Sequence, residues 1–337
     1  MTAEPLKTLF HPFACGALEP PAPSARALFL GAPGAFRRSA DFPAGVACVQ
    51  GFRPDFLALQ RAGFAVSPVP EGSGYDVALV LTGRHRGQNE MRVAEALERT
   101  APGGLVVVAG GKEDGIGGLV RRVSTLLPVE DRLPKYHGAA FWLRRPSDVA
   151  GATAALRAGN GPQALEGGFV AASGMFSHAA VDTGSRLLAE GLPTDLDGAV
   201  ADFCAGWGYL SAAIARRCPS VARIDLYEAD WESLEAAKAN LAGVAGTRFF
   251  WQDLATEPVS ERYDAIVMNP PFHRGRAAEP GIGRDMIKAA AGALRRGGRL
   301  FMVANRELPY ESALGELFAQ WRETAREGGF KTFVAIR

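Results

Sequence analysis

The stretch Tyr263-Asp264-Ala265-Ile266-Val267-Met268-Asn269-Pro270-Pro271-Phe272-His273 decides how this chain reads. Its first part is an apolar run, the pattern of a strand buried on both faces of a parallel sheet. The run stops at Asn-Pro-Pro, because two prolines lack backbone donors and cannot continue a central strand. An Asn side chain, a carbonyl-rich turn and an aromatic ring are therefore expected at a strand's carboxyl edge. That edge is where open α/β sheets bind ligands.

Such a corner suits one chemistry. A planar –NH2 on a base or amide is a poor nucleophile, because its lone pair is delocalised. Asn269 Oδ1 and the Pro270 carbonyl can both accept its hydrogens, favouring a more tetrahedral nitrogen aimed at an electrophile. Phe272 can stack on the flat substrate. Asn269, Pro270 and Phe272 are thus the catalytic candidates. A plain turn capping a core strand explains Asn-Pro alone, but explains Asn-Pro-Pro-Phe after a buried strand less well. His273 is not needed as a base, since the amine's proton becomes acidic only after transfer and can leave to water.

Upstream, Ala199-Val200-Ala201-Asp202-Phe203-Cys204-Ala205-Gly206-Trp207-Gly208 reads as strand and Gly turn leading into a helix. It matches a dinucleotide GxGxxG only weakly. An acid at the strand end, Asp202, suits a cationic group better than a pyrophosphate. The amino and sulfonium groups of S-adenosylmethionine are such groups. The next strand ends in Glu228, 22 residues beyond Gly206, where a carboxylate can accept both ribose hydroxyls. Asp253 and Leu254 follow a further strand, with Asp253 a candidate acceptor for the adenine amine. Phe176 and Ser177 are placed to close over a cofactor. Asp182 and Asp230 read as helix caps.

The first half carries a fainter copy. Residues 75–87, YDVALVLTGRHRG, align with residues 263–275, YDAIVMNPPFHRG, and both are followed by helix, Gly-Gly turn, strand and polar loop. In the copy, Asn-Pro-Pro-Phe has become Leu81-Thr82-Gly83-Arg84, and the Gly-rich loop 31–34 has no preceding acid. The first half is therefore expected to be a degenerate copy, left to bind substrate or support the second. Residues 1–25, rich in Pro and Ala, are expected to run over the surface. The expected division is a first domain at 1–150, a linker at 151–166 with one short helix, and a second domain at 167–337.

The whole chain sets the bounds. Its 337 residues suffice for two domains, and 47% hydrophobic with 22% charged residues is the balance of a soluble globular protein. No apolar run approaches a membrane span and no signal-peptide pattern opens the chain. Cys15, Cys48, Cys204 and Cys218 form no CxxC pair, so neither a zinc site nor a disulfide framework is expected, and a reducing cytoplasm is the simplest compartment. Residues 1–160 hold 18 Lys and Arg against 14 Asp and Glu, and the remainder 19 against 22. That asymmetry is compatible with a first half facing phosphates, where Arg84, His85, Arg86, Lys112, Arg121, Arg122, Lys135, His137, Arg144 and Arg145 are the candidate contacts.

With GMFS…DTGS, DFCAGWG, LYEAD, YDAIVMNPPFH, RLFMVANRELPY and the terminal GGFKTFVAIR in view, the chain resembles the RsmC-type ribosomal RNA (guanine-N2)-methyltransferases. The first-half stretches KEDGIGG and KYHG also look like that family's. The resemblance implies an α/β protein of two tandem Rossmann-like class I methyltransferase domains. The first is degenerate and the second catalytic, with a mainly parallel seven-stranded sheet. It implies S-adenosylmethionine as cofactor, held by Phe176, Asp202, Cys204, Ala205, Gly206, Gly208, Glu228, Asp253, Leu254 and Asn269. It implies a guanine of small-subunit (16S) ribosomal RNA as target and the small ribosomal subunit as partner, with no metal, no membrane and a monomeric state. One departure stands out: such enzymes usually have Gly where Cys204 sits. A side chain there narrows the approach to the methionine end, but Gly206 and Gly208 remain, so binding is expected to survive.

Three rivals stand beside this reading. One is methylation of another amino group, on large-subunit RNA guanine, DNA adenine or protein glutamine. Another is a non-catalytic ribosome-assembly factor that keeps a cofactor pocket, against which the intact Asn-Pro-Pro-Phe argues. The last is a nicotinamide oxidoreductase, disfavoured by the imperfect glycine pattern.

Overall fold

Apolar runs that alternate between two buried faces build both halves of the chain. The structure is a computed structural model and describes residues 3–38, 42–271, 273–274, 277–278 and 280–337. It divides into two compact units, Met1–Pro162 with Ala172–Gly174, and Gln163–Ala171 with Met175–Arg337.

The first unit runs α1 (Ala3–Ala14), β1 (Arg26–Leu30), β2 (Gly45–Val49), α2 (Arg53–Arg61), β3 (Ala65–Ser67), β4 (Tyr75–Leu81), α3 (Arg86–Arg99), β5 (Thr100–Gly111), α4 (Ile116–Ser124), β6 (Asp131–Lys135), β7 (Gly138–Arg144) and α5 (Ala150–Arg157). Among the described residues its main sheet has seven strands in the order β3-β2-β1-β4-β5-β7-β6, antiparallel only at β5/β7 and β7/β6. Residues alternate between two cores: Ala27, Phe29, Leu79 and Val107 fill one face, and Leu28, Leu30, Val80 and Val108 the other. A sheet covered on both faces is what near-continuous apolar strands require.

The start of the chain departs from the expectation of a surface segment. Residues 3–14 form α1, with Leu9 and Phe13 buried in a core that Leu6 and Phe10 also contact. Leu6, Leu9, Phe10 and Phe13 recur at helical spacing, and this stripe outweighs the two prolines. The stretch 151–166 holds α5 and the short strand β8 (Gln163–Ala164), with Leu156 fully buried.

The second unit continues with β8, β9 (Val170–Ala171), α6 (Thr183–Gly191), β10 (Gly198–Phe203), α7 (Tyr209–Arg217), β11 (Val221–Glu228), α8 (Trp231–Asn240), β12 (Thr247–Trp251) and β13 (Tyr263–Met268). Then come β14 (His273–Arg274), β15 (Ala277–Ala278), α9 (Pro280–Ala293), β16 (Leu294–Asn305), α10 (Glu311–Leu317), β17 (Gln320–Glu327) and β18 (Phe330–Ile336). Its main sheet, of seven strands among the described residues, has the order β12-β11-β10-β13-β16-β18-β17. This is the same topology as the first unit, again antiparallel only at the last two pairings. Ala201, Phe203, Ile266 and Met268 face one core, and Val200, Ala265 and Val267 the other.

The repeat extends to detail. In both units the fifth strand of the motif carries an irregular register near its start, around Gly103 and Gly297, each at positive φ. The sequence reading did not place β6, β7 or β17. The last is an edge strand with mostly exposed residues, and its charges blunt the edge rather than mark a core.

Candidate functional site

In the second unit the chain moves outward from β10 to β11 and β12, then returns to lay β13 on the other side of β10. The crevice at such a reversal is the usual ligand position of an open α/β sheet. The residues leaving β10 and β13 are Cys204–Gly208 and Asn269-Pro270, so the Gly turn and the Asn-Pro corner meet there.

The turn is held by its own backbone. Ala205 N–H donates to Tyr227 O (3.1 Å), Gly206 N–H to Glu228 Oε2 (2.8 Å) and Gly208 N–H to Ala205 O (3.0 Å). Cys204, Gly206 and Gly208 have φ of 60°, 55° and 90°. A Cβ at Gly208 would lie 3.1 Å from Leu241 Cδ1, whereas one at Gly206 would meet nothing within 4 Å. Gly208 thus lets the loop pack on α8, while Gly206 leaves an open approach. Burial pushes the Cys204 thiol well above its ordinary value, so it is not a thiolate nucleophile at neutral pH.

Asp202 is fully buried beneath this turn. Its Oδ2 accepts from Ser211 N–H (3.0 Å) and Ser211 Oγ (2.7 Å), tying the strand end to α7. Its Oδ1 is buried with no partner among the described residues. Burial raises the Asp202 carboxyl to about 7 against the pull of the Ser211 hydrogen bonds. Glu228 behaves alike: burial raises it to about 7, although Gly206, Ala229 and Asp230 all donate backbone N–H groups to it.

Asn269 has a fixed orientation. Its Nδ2 donates to Asp182 Oδ2 (2.9 Å) and to Ser185 Oγ (2.8 Å). An ionised carboxylate only accepts, so the amide nitrogen must face Asp182 and Oδ1 must point away from it. Asp182 is at the same time the N-cap of α6, accepting from Ser185 N–H at 2.7 Å. Pro270 is buried, and Phe272 lies outside the described residues.

Phe176 is 54% exposed, and its carbonyl accepts from Trp207 Nε1 (3.2 Å), tying residues 176–177 to the Gly turn. Phe176, Ser177, Asp182, Ser185, Cys204, Ala205, Gly206 and Asn269 share the walls of one open concavity. Asp202 and Gly208 do not line it, and Glu228 connects to it through Gly206. Asp253 and Leu254 are buried after β12 and do not line it either. Asp253 Oδ1 accepts from Ala255 N–H (3.1 Å) and Oδ2 from Thr256 Oγ1 (2.6 Å), so an adenine amine would share oxygens already engaged. Sequence reasoning took Asp182 as a cap alone and passed over Ser185. The DTGS pattern shows the cap, but its partner just past β13 lies 87 residues away and leaves no local signal. Among the described residues no group of three or more His, Cys, Asp or Glu could hold a metal ion, and no helix is long and apolar enough to cross a membrane.

The matching corner of the first unit is filled. Arg92 Nη1 donates to Leu81 O (2.9 Å) and lies so close to Gly31 that a Cβ there would sit 2.8 Å from it. Asn89 exchanges two hydrogen bonds with the Gly83 backbone, at 2.7 and 2.8 Å. Two side chains of α3 therefore occupy the space that the second unit leaves open.

A doubly wound sheet with a Gly turn at the reversal, and an Asn-Pro-Pro corner beside it, defines the class I methyltransferase type of fold. The family model described as methyltransferase small domain matches residues 166–334, half of the chain, and the chain belongs to that family. It is similar to the ribosomal RNA small subunit methyltransferase C of Escherichia coli strain K12 / DH10B. The two are 38% identical over 165 residues, which is 48% of this chain and 47% of that protein. The protein of the same description from Escherichia coli O157:H7 matches to the same extent. The chain thus spans about half the length of these curated relatives. Among solved structures it resembles the Thermus thermophilus 16S rRNA N2 G1207 methyltransferase (RsmC), determined in complex with AdoMet and guanosine. That likeness has a TM-score of 0.78 at 24% identity and covers 97% of this chain and 91% of that one, so the shared fold includes both units.

Proposed function

We propose that the second unit transfers a methyl group from S-adenosylmethionine to the N2 amine of a guanine in small-subunit (16S) ribosomal RNA. The observation that carries this reading is the Asn269 amide, turned by Asp182 so that an acceptor, Oδ1, is left for the substrate's amino group.

The residues fit the cofactor. It brings an electrophilic methyl group on a sulfonium, with an amino group, a ribose and an adenine. The orphaned Asp202 oxygen lies beneath the Gly turn, where a cationic group bound above it would favour the ionised carboxylate. Glu228 ends the neighbouring strand, where its carboxylate would accept ribose hydroxyls beside the backbone N–H groups it already holds. Cys204, Ala205 and Gly206 would let the backbone come close, Gly208 keeps the turn packed on α8, Phe176 would cover the opening, and Asp253 and Leu254, outside the walls of the concavity, would meet the adenine beyond it. Asn269 Oδ1 and the Pro270 carbonyl accept the two N2 hydrogens, and Phe272 stacks on the guanine once it is turned out of its RNA stack. Positioning supplies most of the rate.

In this reading residues 1–150 form a degenerate domain that supports the second and contacts RNA, 151–166 link the two, and 167–337 form the catalytic domain. The plugged corner at Arg92 and Asn89 supports a non-catalytic first unit. The protein acts as a cytoplasmic monomer on the small ribosomal subunit.

The test is incubation with methyl-labelled S-adenosylmethionine and undermethylated small subunits, followed by digestion to nucleosides. Label in N2-methylguanosine is expected. Label in another nucleoside or in protein, or none despite cofactor binding, overturns the reading.

A further inference from the structure

The two units share a hairpin whose turns differ in chemistry. In the second unit Glu327 pairs with Phe330, and the two-residue turn between them is Gly328-Gly329, with φ of 57° and 84°. In the first unit Lys135 pairs with Gly138, and the turn is Tyr136-His137, with φ of 51° and 56°. The next bond is also repeated: Arg306 N–H donates to Gly329 O (2.8 Å), and Lys112 N–H to His137 O (3.0 Å). A turn with both central residues at positive φ is made for Gly or Asn. The second unit supplies Gly-Gly, whereas the first places two ring-bearing residues in the left-handed region at a conformational cost. Strain of this kind persists where the surroundings enforce it, and it is a pointer to function.

The surroundings do enforce it. Thr8 Oγ1 of α1 donates to Lys135 O (3.2 Å), and the His11 ring packs edge-on against Tyr136 at 5.6 Å between centroids. Lys135 Nζ lies 5.8 Å from the centre of the Tyr136 ring. Yet Tyr136 remains 41% exposed, one of few large hydrophobic side chains so open, and Lys112, Lys135 and His137 are exposed around it. Glu113 stands in the same loop, while Asp114 turns inward to accept from Gly111 N–H. A braced, outward aromatic ring flanked by cations is the arrangement that stacks on unpaired bases and neutralises their phosphates.

We propose that the Lys135-Tyr136-His137 hairpin tip of the first unit is a docking point for unpaired RNA, with Tyr136 stacking on a base and Lys112 and Lys135 meeting phosphates. The proposal rests on RNA being the substrate.

The experiment measures binding of a fluorescent small-subunit ribosomal RNA fragment to the full chain across a salt series, with methylation of undermethylated subunits followed in parallel. Tyr136→Gly relieves the turn, so its melting temperature should not fall, yet its RNA affinity should drop by about tenfold. Tyr136→Phe should restore affinity, which a purely structural role for the hydroxyl or the turn would not produce. Lys112→Ala with Lys135→Ala should flatten the slope of log affinity against log salt by about 1.4. If the wild type binds RNA and Tyr136→Gly binds it equally well, the docking point is overturned, whatever the methylation result. It is equally overturned if the wild type binds no RNA, or if Tyr136→Gly loses only a ribosomal protein. If Tyr136→Gly loses RNA while the wild type makes no N2-methylguanosine, the docking point stands and the catalytic reading falls.

Discussion

Asn269 Nδ2 donates to Asp182 Oδ2 at 2.9 Å, so the cap of α6 also orients the corner at the end of β13. One carboxylate oxygen thereby holds a helix start and a carboxamide together. The bond to an ionised acceptor belongs to the stronger kind, and it excludes the flipped amide.

From this follows the simplest expectation. Asn269→Ala should lower kcat by about 100-fold or more, as removal of a preorganised polar group at a reacting centre does. The cofactor Kd should rise far less than kcat falls, since Phe176, Cys204, Ala205, Gly206 and Glu228, among the other residues assigned to it, are untouched. Single-turnover kinetics with an equilibrium binding assay separate the two. A variant that turns over at the wild-type rate would remove Asn269 from the mechanism.

The pairing can be tested by exchange. Asp182→Asn keeps an acceptor for Ser185 N–H, so the cap survives, but it removes the charge that dictates which way Asn269 faces. Asn269→Asp alone sets two carboxylates against each other. With both substitutions the amide at 182 donates to the carboxylate at 269, whose other oxygen still accepts, but only by turning its nitrogen into the place of the oxygen shared with Ser185 N–H, so the pair is restored at the expense of the cap. Activity of the double variant should exceed that predicted from the singles, with a coupling above about 0.5 kcal/mol in a double-mutant cycle. Simple additivity would mean that Asp182 acts only as a cap.

Much of this was legible in the sequence because it is written in local pattern. Buried strands such as Tyr75–Leu81 and Tyr263–Met268 are continuous apolar runs, and the duplication shows in their alignment. The Gly turn and the acids at strand ends follow the same logic. What was not legible depends on long-range partners. Asp182 bonds across 87 residues, and Arg92 plugs a corner formed by Leu81 and Gly31. α1 was misread because its prolines are louder than its four-residue apolar stripe. β17 carries no apolar alternation, since only β18 and solvent define it.

The stability of the fold should fall with pH through the carboxyl of Asp202. Its folded-state value of about 7 lies above the ordinary carboxylate range, so between the two the folded chain holds a proton the unfolded chain has lost. The stabilising contribution is complete below about pH 4 and is lost as pH rises through about 7. Asp202→Asn keeps an oxygen for Ser211 and cannot ionise. Denaturation midpoints measured from pH 5 to 8 should therefore decline more steeply for the wild type than for this variant. Parallel declines would show that the buried carboxyl does not hold its proton.

Cys204 occupies a left-handed conformation, φ 60°, in the Gly turn that follows β10. A side chain there crowds the following carbonyl, at a cost of about 1–2 kcal/mol. Two truncations separate that strain from the packing of the thiol. Cys204→Ala removes the sulfur and keeps the Cβ, while Cys204→Gly removes both. If the strain is real, the Gly variant should be more stable than the Ala variant by about 1 kcal/mol, despite the greater freedom of glycine in the unfolded chain. Equilibrium denaturation of both proteins gives the difference directly. The Gly variant should also bind S-adenosylmethionine at least as tightly as the wild type, because the approach past residue 204 widens. An Ala variant equal to or more stable than the Gly variant would show that the loop relaxes around Cys204 and stores no strain there.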